Sequence, residues 1–379
     1  MLGFGEAAEH DVVGRALHYG DEGDAGLRTL GEFARADLSG RTALETVPFV
    51  VSALGNVERW WLLWLAEARA VTAPTVPGKA LAGPVEEMEA VTRAFAEVAS
   101  RLGGAGIRES VVQYLSDHVV PLVLRGDLPA GQRRRLVAVG AELSATAGWC
   151  SYDAGLDGVA QRYLVQALRW CAEGGERVLG GQVLAGLARL VLGRGYGARG
   201  VDLARVGVAT SQEAACGVGL MRLYAMSARG YAELGRVREV RETLERAEAA
   251  FARGCGAGEC RWGRFLGGSC LDSETAVCWL VLGEAERAEK FAASVAGCES
   301  SGLRRALGQA MLAVAQLDQG RLEDALVSAD AALWQVAGLR SERAVRALRD
   351  FRARLEPYGG EWAVRAFLLR AGPLLDGSG

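Results

Sequence analysis

A glycine followed five residues later by a small or apolar residue recurs five times along this chain, at Gly155/Ala160, Gly195/Gly200, Gly235/Val240, Gly283/Ala288 and Gly320/Ala325. Each pair lies between two helix-length segments with apolar periodicity, and the glycines are 40, 40, 48 and 37 residues apart. Self-similarity at such a period marks stacked supersecondary units. Each unit reads as a helical hairpin that cannot bury its apolar face alone, so stacking on neighbours supplies the missing core. The expected fold class is all-α, a right-handed helical-hairpin solenoid.

Composition agrees with helices. Hydrophobic residues make up 50% of the 379 residues and there are only 8 prolines, a balance that disfavours a sheet protein. The 51 glycines are expected mostly at helix ends, because a mid-helix glycine costs about 1 kcal/mol relative to alanine. Pro74, Pro77, Gly78, Gly83 and Pro84 mark a linker between a small helical region, residues 1–75, and the repeat domain, residues 84–379. Within the latter, Val85–Leu102 and Ile107–Leu124 read as a cap on the first hairpin. Leu339–Leu355 and Glu361–Leu374 read as closing helices around the turn at 357–360, and Arg253–Glu259 reads as an irregular loop.

Met1-Leu2-Gly3-Phe4 has no basic stretch and no long apolar run follows, so neither a secretory signal nor a membrane span is expected and the location reads as cytoplasmic. The eight cysteines are too sparse for a disulfide scaffold and would stay reduced there. A net charge of −3 argues against polyanion binding by the whole chain.

Gly148, Gly155, Ala160, Leu164 and Ala167 stand at the spacing of the tetratricopeptide pattern. The stretches 148–155 (GWCSYDAG) and 158–168 (GVAQRYLVQAL) resemble actinobacterial, Streptomyces-type regulators with an N-terminal helix-turn-helix and a C-terminal tetratricopeptide array. Residues 107–115, 183–186, 337–345 and 355–359 are similar to the same family. Leu38-Ser-Gly-Arg41, residues 46–54 and Glu58-Arg-Trp-Trp-Leu-Leu-Trp64 resemble the back half of its DNA-binding region. The front half departs from the family: residues 19–26 are acidic and glycine-rich where a recognition helix should run. Residues 1–75 hold eleven Asp/Glu against six Arg and no Lys. That sign opposes phosphate contact, so DNA binding is doubtful.

The resemblance also implies which side chains face the concave groove: Glu142, Trp149 and Asp153 in the first unit, Gln182 and Arg189 in the second, Arg222 and Arg229 in the third, Cys270 and Ser273 in the fourth. Arginines beside Trp149 suit a carboxylate, because guanidinium binds it bidentately. The other reading is that they pair with Glu142, Asp153 and Glu233. Two functions from different classes follow. One is a ligand- or peptide-binding regulatory protein, taking a peptide, a protein or an anionic small molecule in the groove. The other is an enzyme of secondary metabolism on a regulator-derived scaffold, for which no catalytic constellation is visible. A homodimer is compatible with either.

Other motifs carry less. Gly193-Arg-Gly-Tyr-Gly-Ala198 satisfies a dinucleotide-binding pattern, but it follows a helix rather than a strand and reads as an inter-helix turn, so no cofactor is expected. Cys255 and Cys260, with Cys270 and Cys278 beyond, are weak zinc candidates at imperfect spacing, and no metal is expected. Asp117 and His118 are adjacent on a helix, where neighbouring side chains point apart. Trp60, Trp61 and Trp64 read as a buried face docking the N-terminal region onto the array. Arg340, Arg343, Arg346 and Arg349 read as a solvated helix face.

Overall fold

The computed structural model describes residues 11–19, 23–39, 44, 46–70, 83–125, 127–212, 216–254, 263 and 266–376. Residues 71–82, which hold Pro74, Pro77 and Gly78 of the expected linker, lie outside them, as do Cys255 and Cys260. Helix α1 (Asp24–Leu38) and α2 (Leu54–Ala70) precede α3 (Gly83–Leu102). Gly83 and Pro84, expected in the linker, form its first turn, where proline's missing N–H costs nothing. Helix α4 runs through Arg108–Tyr114, a π-helical turn at Leu115–Val119, and Val120–Leu124.

The hairpins follow. They are α5 (Ala130–Asp153) with α6 (Asp157–Gly174), α7 (Arg177–Leu192) with α8 (Gly197–Ser211), and α9 (Gly217–Glu233) with α10 (Val237–Arg253). After them come α11 (Gly268–Val281) with α12 (Ala285–Ala296), α13 (Gly302–Asp318) with α14 (Leu322–Val336), and the closing pair α15 (Glu342–Arg354) and α16 (Trp362–Leu375). No strand occurs among the described residues. The fold is an all-α helical-repeat solenoid.

One joint makes all five hairpins. Gly155, Gly195, Gly235, Gly283 and Gly320 have φ between 70° and 80°, the left-handed region that L side chains resist. Each glycine N–H donates to the carbonyl three residues back. The next residue's N–H donates to the carbonyl five back, as in Leu156 to Ser151 (2.9 Å) and Glu284 to Trp279 (2.9 Å). This Schellman closure satisfies the last carbonyls of one helix. That same next residue accepts the first hydrogen bond of the following helix from the small residue at position five, as from Ala160 to Leu156 (2.9 Å). Ala160, Val240, Ala288 and Ala325 are fully buried, because they enter the seam where the two helices meet.

Most described glycines fall at helix ends and turns, but several do not. Gly140, Gly180, Gly207 and Gly308 lie inside helices, and a Cβ there would come within 2.1 Å of Trp170, 2.3 Å of Trp61, 2.3 Å of Leu223 and 2.4 Å of the Ala296 backbone. These helices approach so closely that the contact outweighs the propensity cost.

The described residues between 11 and 70 share one apolar core with the first two hairpins, joining Leu27, Leu30, Phe33, Leu54 and Trp61 to Val137, Tyr163 and Leu187. Trp61 is fully buried and its Nε1–H donates to Thr210 Oγ1 (3.0 Å) on α8, while its ring stacks on Trp64 at 4.4 Å. The extended segment before α2 is held by α6. Gln161 bonds both the N–H and the carbonyl of Val50 (2.8 and 2.7 Å), and Arg162 donates to the carbonyls of Val13 and Pro48 (2.9 and 3.1 Å).

The array curves until its ends meet. The inner helices α5, α7, α9, α11, α13 and α15 contact one another in sequence, and α15 touches α5. Asp153, at the end of α5, fastens the closure: Oδ2 accepts from the Gly104 N–H (2.8 Å), and Oδ1 from Ser341 Oγ (3.1 Å) at the start of α15. Helix α3 packs on both α5 and α13, with Ser301 Oγ donating to the Ser100 carbonyl (2.9 Å). What sequence suggested as an open groove is thus partly roofed.

Candidate anion cavity

A cavity of about 240 Å³ lies inside this ring, walled by the inner helices and roofed by Ala96, Ala99 and Ser100 of α3. Glu142, Trp149 and Asp153 reach it from α5, Gln182 and Arg189 from α7, Arg222 from α9, and Cys270 and Ser273 from α11. Arg229 does not line it. Glu274, Arg304 and Arg343 do, and none of these was singled out from sequence as facing the groove.

The arginines divide by partner. Arg189 forms an ion pair with Glu274, a buried residue, and Arg229 stands behind the same carboxylate at 3.5 Å. Burial raises the Glu274 pKa, but the two guanidiniums outweigh it and hold it below its ordinary value. Burial likewise disfavours the Arg189 charge, and Glu274 more than offsets it, so Arg189 is raised. These groups are an ion-pair cluster that is charged at neutral pH. Within the alternative reading, in which the arginines pair with acids of the array, the acid that answers Arg189 is Glu274. Asp153 faces Arg343 at 3.2 Å, and half-buried Glu233 is raised by burial, with Arg229 only partly opposing it.

Arg222 differs. Its guanidinium lies over the Trp149 ring at 4.8 Å, and Nη1 donates a long hydrogen bond to Gln182 Oε1 (3.4 Å). The Gln182 amide is itself oriented, Nε2 donating to the Gly219 carbonyl (3.1 Å). No carboxylate among the described residues pairs with Arg222. Burial pushes its pKa down to about 10; Cys270 and Glu274 partly oppose the shift, and the charges of Arg189 and Arg304 add to it. Around the cavity, four lining arginines face three lining carboxylates, and one of those carboxylates is also neutralised from behind by Arg229. The excess is positive and centres on Arg222.

The Arg340–Arg349 ridge is not uniformly solvated. Arg343 enters the cavity wall, and Arg349 pairs with Glu342 and donates to the Leu375 carbonyl (2.8 Å). Arg340 and Arg346 are exposed. Of the missed residues, Glu274 was accessible to reasoning, since it lies four residues after Cys270 on the same helix face. Arg343 was not, because its inward position depends on α15 returning to α5.

Gly193 caps α7 and Gly195 is the hairpin glycine, so the dinucleotide-like motif is a turn between helices. Asp117 and His118 are exposed on the π-helical turn. Among the described residues no cluster of His, Cys, Asp or Glu could hold a metal. Cys216 is disulfide-bonded, which corrects the expectation that every thiol is reduced. The Gly217 N–H donates to the carbonyl of Gly254 (3.0 Å), the C-cap of α10. Among the described residues no helix is long and apolar enough to cross a membrane. No protein-family model matches the chain, and no curated protein matches it.

Proposed function

We propose that this chain is a ligand-binding regulatory protein of the tetratricopeptide type, and that its ligand is a small anion held in the central cavity. The observation that carries this reading is Arg222. A largely buried guanidinium, flanked by Arg189 and Arg304 and in no ion pair with a described carboxylate, is costly to keep charged and is favoured beside an added carboxylate. Trp149 beneath it offers an apolar wall for the rest of such a ligand, and Gln182 and Ser273 add hydrogen-bonding groups. The cavity volume suits a small molecule or a chain terminus better than an extended peptide. Its walls also supply a route for a response: α3 roofs the cavity and packs on α5, whose hairpin shares its core with the described residues between 11 and 70.

The test is native mass spectrometry of the full chain after incubation with a cell metabolite extract, followed by calorimetric titration of whatever anion is retained. Retention by the wild type and loss in Arg222→Met supports the reading. Retention of only neutral or cationic compounds, or equal retention by the variant, removes it. Conversion of the compound during incubation would instead support the enzyme.

A further inference from the structure

The four most exposed large apolar side chains of the described residues sit on two neighbouring outer helices. Val327 and Trp334 on α14 are 71% and 82% exposed, and Trp362 and Leu369 on α16 are 75% and 79% exposed. Each pair is seven residues apart, so each lies on one face of its helix. The helices pack together, and an ion pair between Asp330 of α14 and Arg370 of α16 (2.6 Å) ties their exposed sides. Two tryptophans left this open are unusual on a monomer's surface, and tryptophan is the residue most enriched at the centres of protein interfaces.

We propose that this surface is the interface of a two-fold homodimer, in which α14 of one copy lies against α16 of the other. Charge chooses the occupant. Helix α14 carries Glu323, Asp324 and Asp330 and no basic residue, whereas α16 carries Arg365 and Arg370 and no acidic one. Within one copy Asp330 already pairs with Arg370 and Asp324 with Arg321, which leaves exposed Glu323 on α14 and exposed Arg365 on α16 as the charges that a two-fold axis sets toward the second copy, twice over, as an isologous contact requires. An anionic lipid surface would meet the acidic α14 instead and be repelled. Area is sufficient as well. A buried aromatic contributes up to about 250 Å², so the two tryptophans alone offer about 400 Å² of the roughly 800 Å² per partner in a standard interface.

The experiment is sedimentation equilibrium of the full chain over a range of micromolar concentrations, with circular dichroism to confirm folding. The wild type is expected at the dimer mass, and the double variant Trp334→Ser/Trp362→Ser at the monomer mass with unchanged helix content. Leu63→Ser, at an exposed position on α2, should stay dimeric. The double variant Val327→Glu/Leu369→Glu, at the other two exposed apolar positions, should weaken the dimer at least tenfold, so the inference is tested even if the tryptophan variants fold poorly. A wild type that is monomeric throughout overturns the proposal, whether or not it floats with anionic vesicles. So does a dimer indifferent to both sets of substitutions.

Discussion

Arg189 and Arg222 both face inward from adjacent units, and sequence reasoning treats them alike. The structure separates them, and their replacement should have opposite effects on stability. Arg222 is held at about 10 against an ordinary value of 12.5. By linkage that difference corresponds to about 3 kcal/mol of cost for keeping the guanidinium charged in the folded state. Because the folded value is the lower one, the cost is fully present at neutral pH and is relieved only as pH rises through about 10. Arg222→Met removes the charge and roughly keeps the volume. It forfeits the contact with Trp149, worth about 0.5–2 kcal/mol, and a long hydrogen bond. Arg222 stays partly open to the cavity, so solvent screening reduces the gain, and a net stabilisation of about 1 kcal/mol is expected. At roughly 2.1 cal/mol/K per residue for the entropy of unfolding, the thermal midpoint rises by about 1–2 °C. Arg189→Ala leaves the buried Glu274 with only Arg229, at 3.5 Å, and should cost about 3–5 kcal/mol. Affinity for an anion in the cavity should fall about 10- to 150-fold in Arg222→Met, the scale of a lost charge-assisted bond. Scanning calorimetry and titration of the two variants are the assays. If Arg222→Met melts below wild type by as much as Arg189→Ala does, Arg222 is a structural arginine and the reasoning fails.

Glu274 also sets a pH dependence: its folded pKa lies below the ordinary 4.5, so its stabilisation is complete above that value and is lost as pH falls through the folded one. Acid melts of Glu274→Gln should lack this component, and a curve parallel to wild type below pH 4.5 would contradict it. Thiol chemistry should be ordered by site. Burial pushes Cys150 up to about 12 and Cys171 well above the ordinary thiol value, while at Cys298 burial is outweighed by hydrogen bonds from Ser300 and Ser269. Iodoacetamide mapping of the native protein should therefore find Cys298 modified before Cys150 and Cys171, and the reverse order would be inconsistent with the packing. Specific DNA binding at physiological salt should be weak or absent, since α1 sinks Leu27, Leu30 and Phe33 into the core. A nanomolar footprint abolished by Arg28→Ala or Arg35→Ala would show otherwise.

Much of the array was legible because its information is local. A left-handed glycine, a small residue five positions on and an apolar period on either side are all encoded within one hairpin, and the joint at Gly155 is the joint at Gly320. The same joint at Gly175, with φ 73° and the Glu176 N–H donating to the Cys171 carbonyl at 2.8 Å, links α6 to α7. It does not stand out in the repeat pattern because it lies between units rather than within one. Interior glycines escape sequence reasoning for a related reason. Propensity is a property of one helix, whereas the need for a missing Cβ at Gly180 or Gly207 arises from a partner far away in sequence.

The cavity shows where local reasoning stops. Inward positions on α5, α7, α9 and α11 follow from helical register once the family resemblance sets it, so residues such as Trp149, Gln182 and Arg222 can be grouped before the structure is known. Their charge states cannot, because ionisation depends on who stands opposite, and that is decided by curvature accumulated over successive hairpins. Asp153 illustrates the point. Read along its own helix, it is one more groove acid available to an arginine of the next unit. In the ring it is consumed by Gly104, Ser341 and Arg343, residues that precede the array or close it. Closure therefore commits this carboxylate to Arg343 rather than to Arg189 or Arg222 as it brings the inner helices around them. Because Glu274 is also shared between Arg189 and Arg229, the positive charge of Arg222 is a consequence of how the solenoid closes, and an anion entering from solution would complete the same electrostatic arrangement.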